Sequence, residues 1–179
     1  KSTKAKALNT AFNQIDSSYQ IAVILDADNI MEVNFLQKIN NAYNNGYSAM
    51  QGHRVAKNHN TNLATLDAVS EEINNNIFRS GHRAVGLSSA LIGSGMAFDY
   101  QLIKTEMAKI DAIGGFDKEL ELRLLKQRLT IGYLEDAYVY DEKVSAEEAF
   151  TNQRTRWIAA QIRYGVKSFG DALFQLITK

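Results

Sequence analysis

The 179-residue chain carries 20 Lys and Arg against 20 Asp and Glu, and 45% of its residues are hydrophobic. This length and composition predict one domain over residues 1–179, and the zero formal net charge gives no reason to expect a nucleic-acid partner. The absence of Cys excludes disulfides, thiolate catalysis and Cys-based zinc sites. No stretch reaches the roughly 20 apolar residues of a membrane span, and residues 1–9 lack the apolar core of a signal peptide, so a soluble segment is predicted.

The first part of the chain predicts helices that alternate with strands. Apolar residues recur at helical spacing over 5–15, and the apolar run at 19–25, which stops at Asp26, is typical of a strand covered on both faces. A second helix is predicted at 34–45 and a short strand at 47–51, whereas the polar residues 54–62 predict a loop. This alternation predicts an α/β fold with a mixed, mostly parallel sheet.

The same alternation continues to the C-terminus. Apolar spacing predicts a long helix over 63–78, and an apolar run at 91–98 is interrupted by Gly93 and Gly95. The remaining elements are predicted helices at 101–110 and 118–128, strands at 131–134 and 138–140, and helices at 146–164 and 168–177. No repeat or linker argues for an internal boundary.

The Asp26-Ala27-Asp28 triplet stands where the first predicted strand ends, which is where open α/β sheets bind ligands. Two carboxylates with one small spacer can hold Mg²⁺ or Mn²⁺, because proteins bind such ions with one or two carboxylates plus substrate phosphates. The alternative is a simple turn, since Asp28-Asn29 also suits a turn or a helix cap. The triplet alone leaves both interpretations open.

A second group of polar and aromatic residues lies on the predicted helix at 146–164. Gln153, Arg156 and Trp157 are spaced i, i+3 and i+4 and therefore share one helix face. Arg pairs with phosphate oxygens, Trp can stack on a sugar ring and Gln can hydrogen-bond hydroxyls, so the trio suits a sugar phosphate. The alternative is an ordinary helix whose Trp packs in the core.

Taken in order, these motifs resemble the family 2 glycosyltransferases of the cellulose, chitin and hyaluronan synthase type. Lys4-Ala5-Lys6-Ala7-Leu8-Asn9 resembles the family's Lys-Ala-x-Ala-Leu-Asn segment, and Asp26-Ala27-Asp28 resembles its Asp-x-Asp strand end. Gly93-Ser94-Gly95 is similar to its Gly-rich loop on the acceptor side, and residues 153–157 are similar to its Gln-x-x-Arg-Trp motif.

This resemblance implies a GT-A fold, a Rossmann-like α/β sandwich. It also implies inverting transfer of a sugar from a nucleoside-diphosphate sugar, with a UDP-sugar as the expected donor, to a saccharide or lipid-linked acceptor, as in polysaccharide synthesis. Mg²⁺ or Mn²⁺ is then expected on Asp28, with Asp26 holding the metal or the donor ribose. Phosphate contacts are expected from Lys4 and Arg156, and the donor site is completed by Gln153 and Trp157.

The resemblance further implies that Asp117 is the general base. In the family, Gly-Gly-Phe precedes an acidic pair at the head of a Leu-x-x-Arg-Leu helix, and here Gly114-Gly115-Phe116 precedes Asp117 and such a helix. The Glu expected before Asp117 is absent and the spacing is shorter. Either residues are missing from the numbering between Phe116 and Asp117, or the loop is shorter here. Glu135-Asp136 is a competing acidic pair, but it resembles a later strand of the family.

The two ends of the chain carry further expectations. The family's first strands, with a nucleotide-base-binding Asp, are expected before Lys4. The C-terminal helix carries an apolar stripe with nearby lysines, formed by Val166, Phe169, Leu173, Phe174 and Ile177 with Lys167 and Lys179. This stripe fits an interfacial membrane helix or a helix packed on its own domain. Because family members usually carry membrane helices, the resemblance implies a full-length protein anchored at the cytoplasmic side of a membrane.

Two other functions compete with sugar transfer. A non-catalytic nucleotide-sugar or polysaccharide-binding module is favoured by the missing Glu before Asp117. A metal-dependent phosphotransferase with Asp26 as nucleophile is the other alternative, but its motif requires a Thr where Ile30 stands.

Overall fold

A computed structural model of the chain describes residues 3–15, 18–111 and 114–177, and side chains within these ranges up to residue 166. The helices are α1 Lys4–Gln14, α2 Phe35–Asn44, α3 Asn62–Asn75, α4 His82–Ala84, α5 Tyr100–Met107, α6 Phe116–Lys126 and α7 Glu147–Ile177, with a π-helical segment Asn76–Gly81 between α3 and α4. The strands are β1 Ile21–Ile24, β2 Ile30–Met31, β3 Ala49–Ala56, β4 Met96–Asp99 and β5 Gly132–Asp141.

The described strands form one mixed sheet in the order β1-β4-β3-β5-β2. β3 and β5 pair in parallel, whereas β4 is antiparallel to β1 and β3, and β2 is antiparallel to β5. β1, β3 and β5 therefore share one direction. The predicted α/β class and mixed sheet are confirmed. The expectation that the pairing is mostly parallel is wrong for these strands, because β4 lies between β1 and β3 and forms antiparallel ladders with both.

The shared direction of β1, β3 and β5 brings polar residues to one edge of the sheet. Asp26 and Asp28 follow β1, and Asp141 closes β5. β4 runs the opposite way and pairs its first residue, Met96, with Ile24 at the end of β1, so the loop that precedes β4 reaches the same edge. Ligand sites in open α/β sheets lie at this edge.

Apolar side chains cover both faces of the sheet. On one face, Phe98 packs with residues of α1, α5 and α6, and on the other, Ala97 packs with Phe35 and Ile39 of α2. Adjacent residues of β4 thus enter opposite clusters, as the two-residue period of a strand requires. Burial of each large apolar side chain contributes about 1.5–3 kcal/mol, so the two layers fix the sheet between helices.

Three element predictions are wrong in extent. The predicted loop at 54–62 starts too early, because β3 continues through Ala56 and buries Arg54. The predicted strands at 131–134 and 138–140 are one strand, β5, whose register against β3 shifts between Gly52 and His53 and leaves Glu135-Asp136 in a bulge. The two predicted C-terminal helices are the single helix α7, which continues through Gly165.

The C-terminal apolar stripe is described only at its start. Val166 is 75% exposed, whereas the side chains of Lys167, Phe169, Leu173, Phe174, Ile177 and Lys179 lie outside the described residues. Among the residues that the structure describes, no helix is both long enough and apolar enough to cross a bilayer.

Candidate active site

Lys4 connects the start of α1 to the end of β1. Its ammonium forms an ion pair with the Asp26 carboxylate and donates to the Gly93 carbonyl oxygen at 2.7 Å. Helix α1 holds this position because the Thr3 side chain caps its N-terminus and Ala5 is buried in the core. The side chains of Lys4 and Asp26 keep 34% and 41% exposure, so a ligand can reach both charges.

The residues after β1 form a hydrogen-bonded turn. The Asn29 N–H donates to the Asp26 carbonyl oxygen at 3.1 Å, and the Asp26 N–H donates to Ser94 Oγ at 2.8 Å. Asp28 is exposed at the tip, where its carboxylate accepts a bond of 3.4 Å from the neighbouring Asn29 amide. The turn geometry and an accessible carboxylate occur together here, so the two sequence interpretations of the triplet are compatible.

A fully buried amide supports the glycine loop that precedes β4. Gln51 Nε2 donates to the Ser94 and Gly95 carbonyl oxygens at 3.0 and 3.2 Å, and its Oε1 accepts from the Ile92 N–H at 3.1 Å. Gly93 and Gly95 have φ values of 85° and 66°, a left-handed conformation that favours glycine. Sequence reasoning missed Gln51, although a polar residue ending an apolar strand pattern was a usable signal.

Asp117 approaches the same loop from the first turn of α6. A side-chain carbon added at Gly93 would lie 3.7 Å from Asp117 Oδ2, so the carboxylate faces the bare backbone whose carbonyl oxygen accepts from Lys4. Burial raises the pKa of the Asp117 carboxyl, and the neighbouring Lys118 charge opposes this shift only in part. A partly buried carboxyl with a raised pKa is a candidate general base.

Helix α7 packs against the start of α6 through Tyr164. A side-chain carbon at Gly115 would lie 3.0 Å from the Ala160 Cβ and from the Tyr164 ring, so only glycine allows this close approach. The Tyr164 hydroxyl donates to Glu119 Oε2 at 3.3 Å. Burial, followed by the Glu119 charge, raises the pKa of Tyr164, which keeps it protonated as a donor.

The Gln-x-x-Arg-Trp residues of α7 are largely open to solvent. Arg156 is exposed and donates from Nε to the Asn152 carbonyl oxygen at 3.3 Å, and Trp157 is 39% exposed. The Gln153 side-chain oxygen is buried and has no hydrogen-bond partner within the described ranges. The intervening Arg154 donates to Asp67 Oδ1 at 2.7 Å, and its guanidinium lies over the Trp157 ring, 5.0 Å from the ring centre.

The structure therefore brings together some predicted site residues and separates others. Lys4, Asp26 and Asp117 meet around Gly93, with Asp28 two residues away. In contrast, no hydrogen bond, ion pair or ring contact within the described part of the chain joins Gln153, Arg156 or Trp157 of α7 to residues 26–28.

A buried ionic cluster behind the turn was missed by sequence reasoning. Arg54 Nη2 lies 2.9 Å from Glu71 Oε2 and 3.0 Å from Asp141 Oδ2, and Lys143 Nζ lies 2.9 Å from the same Asp141 oxygen. Burial opposes the charge of Glu71, but Arg54 and Lys143 outweigh it and lower the Glu71 pKa. Asn29 Nδ2 donates to Asp141 Oδ1 at 2.9 Å, which connects the turn to this cluster.

Asp26 and Asp28 could hold a divalent cation only with help from other ligands. No group of three or more His, Cys, Asp or Glu within the described residues forms a ready cage. Asp28 has an exposed carboxylate that accepts from the Asn29 amide at 3.4 Å, and Asp26 is paired with Lys4. This donor set fits Mg²⁺ or Mn²⁺ arriving with phosphate and water ligands, because these ions are usually held by one or two carboxylates plus substrate.

An α/β sandwich whose carboxylates, lysine and glycine loop meet at the strand ends has the form of a ligand-binding α/β enzyme. The sequence model of the family described as "Glycosyl transferase family group 2" matches residues 21–179, which is most of the chain. The protein therefore belongs to this family and is a glycosyltransferase. No curated protein matches the sequence.

The family match confirms the resemblance to family 2 glycosyltransferases. It includes Asp26, Asp28, Asp117 and the α7 motif, and it begins after Lys4. The match favours sugar transfer over the binding-module and phosphotransferase alternatives. It also indicates a nucleotide-sugar donor and a separate acceptor in general terms.

Proposed function

We propose that the protein transfers a sugar, with inversion at the anomeric carbon, from a nucleoside-diphosphate sugar to a hydroxyl of a saccharide or lipid-linked acceptor. A UDP-sugar is the expected donor, and polysaccharide synthesis is the expected setting. The convergence of Lys4, Asp26 and Asp117 on the Gly93 backbone carries this proposal. One cation and two carboxylates lie around one short loop, as this chemistry requires.

The donor side is formed by Lys4, Asp26 and Asp28. The exposed Asp28 carboxylate, with Asp26, would hold Mg²⁺ or Mn²⁺, and Lys4 would contact a phosphate oxygen. A divalent cation bound there stabilises the negative charge that develops on the departing diphosphate. The Lys4 ammonium adds a fixed positive charge on the same side, held by Asp26 and the Gly93 carbonyl oxygen until the donor binds.

The acceptor side is formed by Asp117. Its carboxylate accepts the proton of the acceptor hydroxyl while the hydroxyl oxygen bonds to the anomeric carbon. The bond from that carbon to the diphosphate oxygen breaks on the opposite face, which gives inversion. The raised pKa of Asp117 increases its affinity for this proton, and positioned acid–base groups typically contribute about 10²- to 10⁴-fold in rate.

Helix α7 supplies the remaining contacts in this proposal. The exposed Arg156 guanidinium pairs with phosphate, and the exposed part of Trp157 stacks on a sugar ring. Gln153 hydrogen-bonds a sugar hydroxyl in this proposal, which requires its buried, unpartnered side-chain oxygen to become accessible. Further along α7, exposed apolar residues recur every fourth position at Ile158, Ile162 and Val166. These exposed residues support attachment of the protein to a membrane surface, and the family resemblance implies the cytoplasmic side.

Release of nucleoside diphosphate tests the proposal directly. The protein is incubated with a panel of UDP- and GDP-sugars, with and without saccharide acceptors, in Mn²⁺, Mg²⁺ or EDTA. We expect metal-dependent release from at least one donor, and a fall of about 100-fold or more in Asp28→Asn. The matched control is Asp136→Asn, an equally conservative change at an exposed carboxylate in the β5 bulge, which should retain wild-type activity. Absence of release from every donor would overturn the proposal, and donor binding without release would favour the non-catalytic binding module.

A further inference from the structure

The Asn29 side chain uses both ends of its amide between two separate parts of the molecule. Its Nδ2 donates to Asp141 Oδ1 at 2.9 Å, and its Oδ1 accepts from the Ser94 hydroxyl. Its backbone N–H also closes the turn onto the Asp26 carbonyl oxygen at 3.1 Å. Asn29 thus connects the turn that carries Asp28 to Asp141 of β5, to Ser94 of the glycine loop and to Asp26 at the start of the turn.

The Asp141 end of this contact is rigidly held. The second oxygen of Asp141 lies 3.0 Å from Arg54 Nη2 and 2.9 Å from Lys143 Nζ, and both of these cations also contact Glu71. All four side chains are almost completely buried. Displacing Asp141 would separate charges in a medium of low dielectric constant, which is costly. Asn29 therefore hydrogen-bonds to an anchor that is held by contacts outside the turn.

The Ser94 end is equally fixed. Ser94 is fully buried, and its carbonyl oxygen accepts from Gln51 Nε2 at 3.0 Å. The same hydroxyl oxygen that donates to Asn29 accepts from the Asp26 N–H at 2.8 Å. The turn at 26–29 is consequently held between the glycine loop on one side and the ionic cluster on the other.

From this geometry we propose that Asn29 is a positioning residue for the donor-binding carboxylates of Asp26 and Asp28. An amide is required because one end must donate to a carboxylate while the other accepts from a hydroxyl. Holding the turn in place before the ligand arrives removes an ordering cost from binding. This inference rests on the proposed function only in what the turn binds. The fixing of the turn is independent of it.

Hydrogen exchange measured without ligand tests the positioning role. Asn29→Ala removes the side-chain bonds to Asp141, Ser94 and Asp28 and adds no charge. We expect amides in residues 24–30 to exchange about tenfold faster or more, with exchange in β4 and α5 unchanged, since the loss of bonds to charged groups is of this order. The matched control is Asn34→Ala, because Asn34 is exposed and makes no side-chain cap bond.

A charged substitution sharpens this test. Asn29→Asp faces two carboxylates against each other across the contact with Asp141, and we expect faster exchange in residues 24–30 than in Asn29→Ala. Exchange in Asn29→Asp no faster than in wild type, or a uniform rise in exchange across the whole protein in Asn29→Ala, would overturn the positioning role.

The second readout is the affinity for UDP in the presence of Mn²⁺, measured by calorimetry. We expect Asn29→Ala to weaken it about tenfold, and Asn34→Ala to leave it unchanged. If the wild-type protein binds no UDP, the proposed function fails while the exchange result stands. If the wild-type protein binds UDP and Asn29→Ala binds it equally well, the positioning role fails while the proposed function stands.

Discussion

The turn after β1 and the exposed face of α7 both carry polar groups, but the two regions differ in the hydrogen-bond partners of those groups. In the turn, Asp26 and Asn29 bond to buried partners at 2.8 and 2.9 Å. On α7, the exposed Arg156 bonds only to a backbone oxygen of its own helix in the described structure, and the Gln153 oxygen has no partner there. The turn is therefore ordered before a ligand binds, whereas we propose that the α7 groups gain their partners from a ligand.

This difference has consequences for mutation. A group that is held by buried partners contributes to folding and to rate together, because its position depends on the fold. A solvent-exposed group contributes to binding alone, and surface substitutions usually change stability by less than about 0.5 kcal/mol. The two regions should therefore separate experimentally into positions that alter stability and rate and positions that alter only affinity.

The largest effect is expected at Asp117, beside the ordered loop. Asp117→Asn removes the proton acceptor, and we expect kcat to fall by about 10²- to 10⁴-fold with little change in KM. Asp136→Asn serves as the control and also tests the rival acidic pair, which lies in the β5 bulge. If Asp136→Asn abolishes turnover and Asp117→Asn does not, the base is assigned to the wrong carboxylate.

The pH dependence of activity and of stability tests whether burial raises the pKa of Asp117. Because burial raises the Asp117 pKa, kcat/KM should fall on the acid side at a pH above the ordinary Asp value of about 3.9. The raised pKa also means that the stability contribution of protonated Asp117 is lost as pH rises through the folded-state value. Asp117→Asn should therefore be more stable than wild type at pH 7 and lose this advantage below about pH 4. A variant less stable at pH 7 would contradict this account.

The next largest effect, a loss of unfolding free energy, is expected in the ionic cluster that anchors the turn. Glu71→Gln leaves Arg54 and Lys143 with Asp141 as their remaining carboxylate, and removal of one partner from a buried pair costs about 3–5 kcal/mol. Urea unfolding measures this change. Glu148→Gln on the exposed side of α7 is the matched control and should stay near wild type. A loss below about 1 kcal/mol for Glu71→Gln would mean that the cluster is not a firm anchor.

Much of the fold could be predicted because its signals are local. The helical spacing at 5–15 and 34–45 and the apolar run that stops at Asp26 place α1, α2 and β1 within a few residues. The direction of β4 and the continuity of β5 could not be read in this way. They depend on which strands pair across the sheet, and a strand's own pattern of burial does not specify its neighbour.

Only the site residues that belong to a recognisable sequence motif could be predicted. Lys4, Asp26 and Asp117 belong to recognisable segments, but their meeting around Gly93 is a product of the sheet topology. Asn29 looked like an ordinary turn residue, and Gln51 looked like the end of a strand. Their roles depend on buried partners far away in sequence, and no local spacing encodes those contacts.

The smallest effect is expected on α7, the solvent-exposed region in the comparison with the turn after β1. Arg156→Ala removes an exposed guanidinium, and we expect donor affinity to fall about 10- to 100-fold, since a hydrogen bond to a charged group contributes roughly 1.5–3 kcal/mol. Calorimetry with the UDP-sugar that supports turnover measures the affinity, and urea unfolding should show no change. Arg163→Ala, another exposed arginine of α7, is the matched control.

The outcome of Arg156→Ala decides whether α7 belongs to the binding surface. If affinity falls and stability does not, the exposed face completes the donor site that the ordered turn begins, and ligand binding must bring the two regions into contact with one molecule. If Arg156→Ala and Arg163→Ala behave alike, the trio is a solvated helix face. Donor recognition would then rest on the turn after β1, where Asp28 offers its exposed carboxylate.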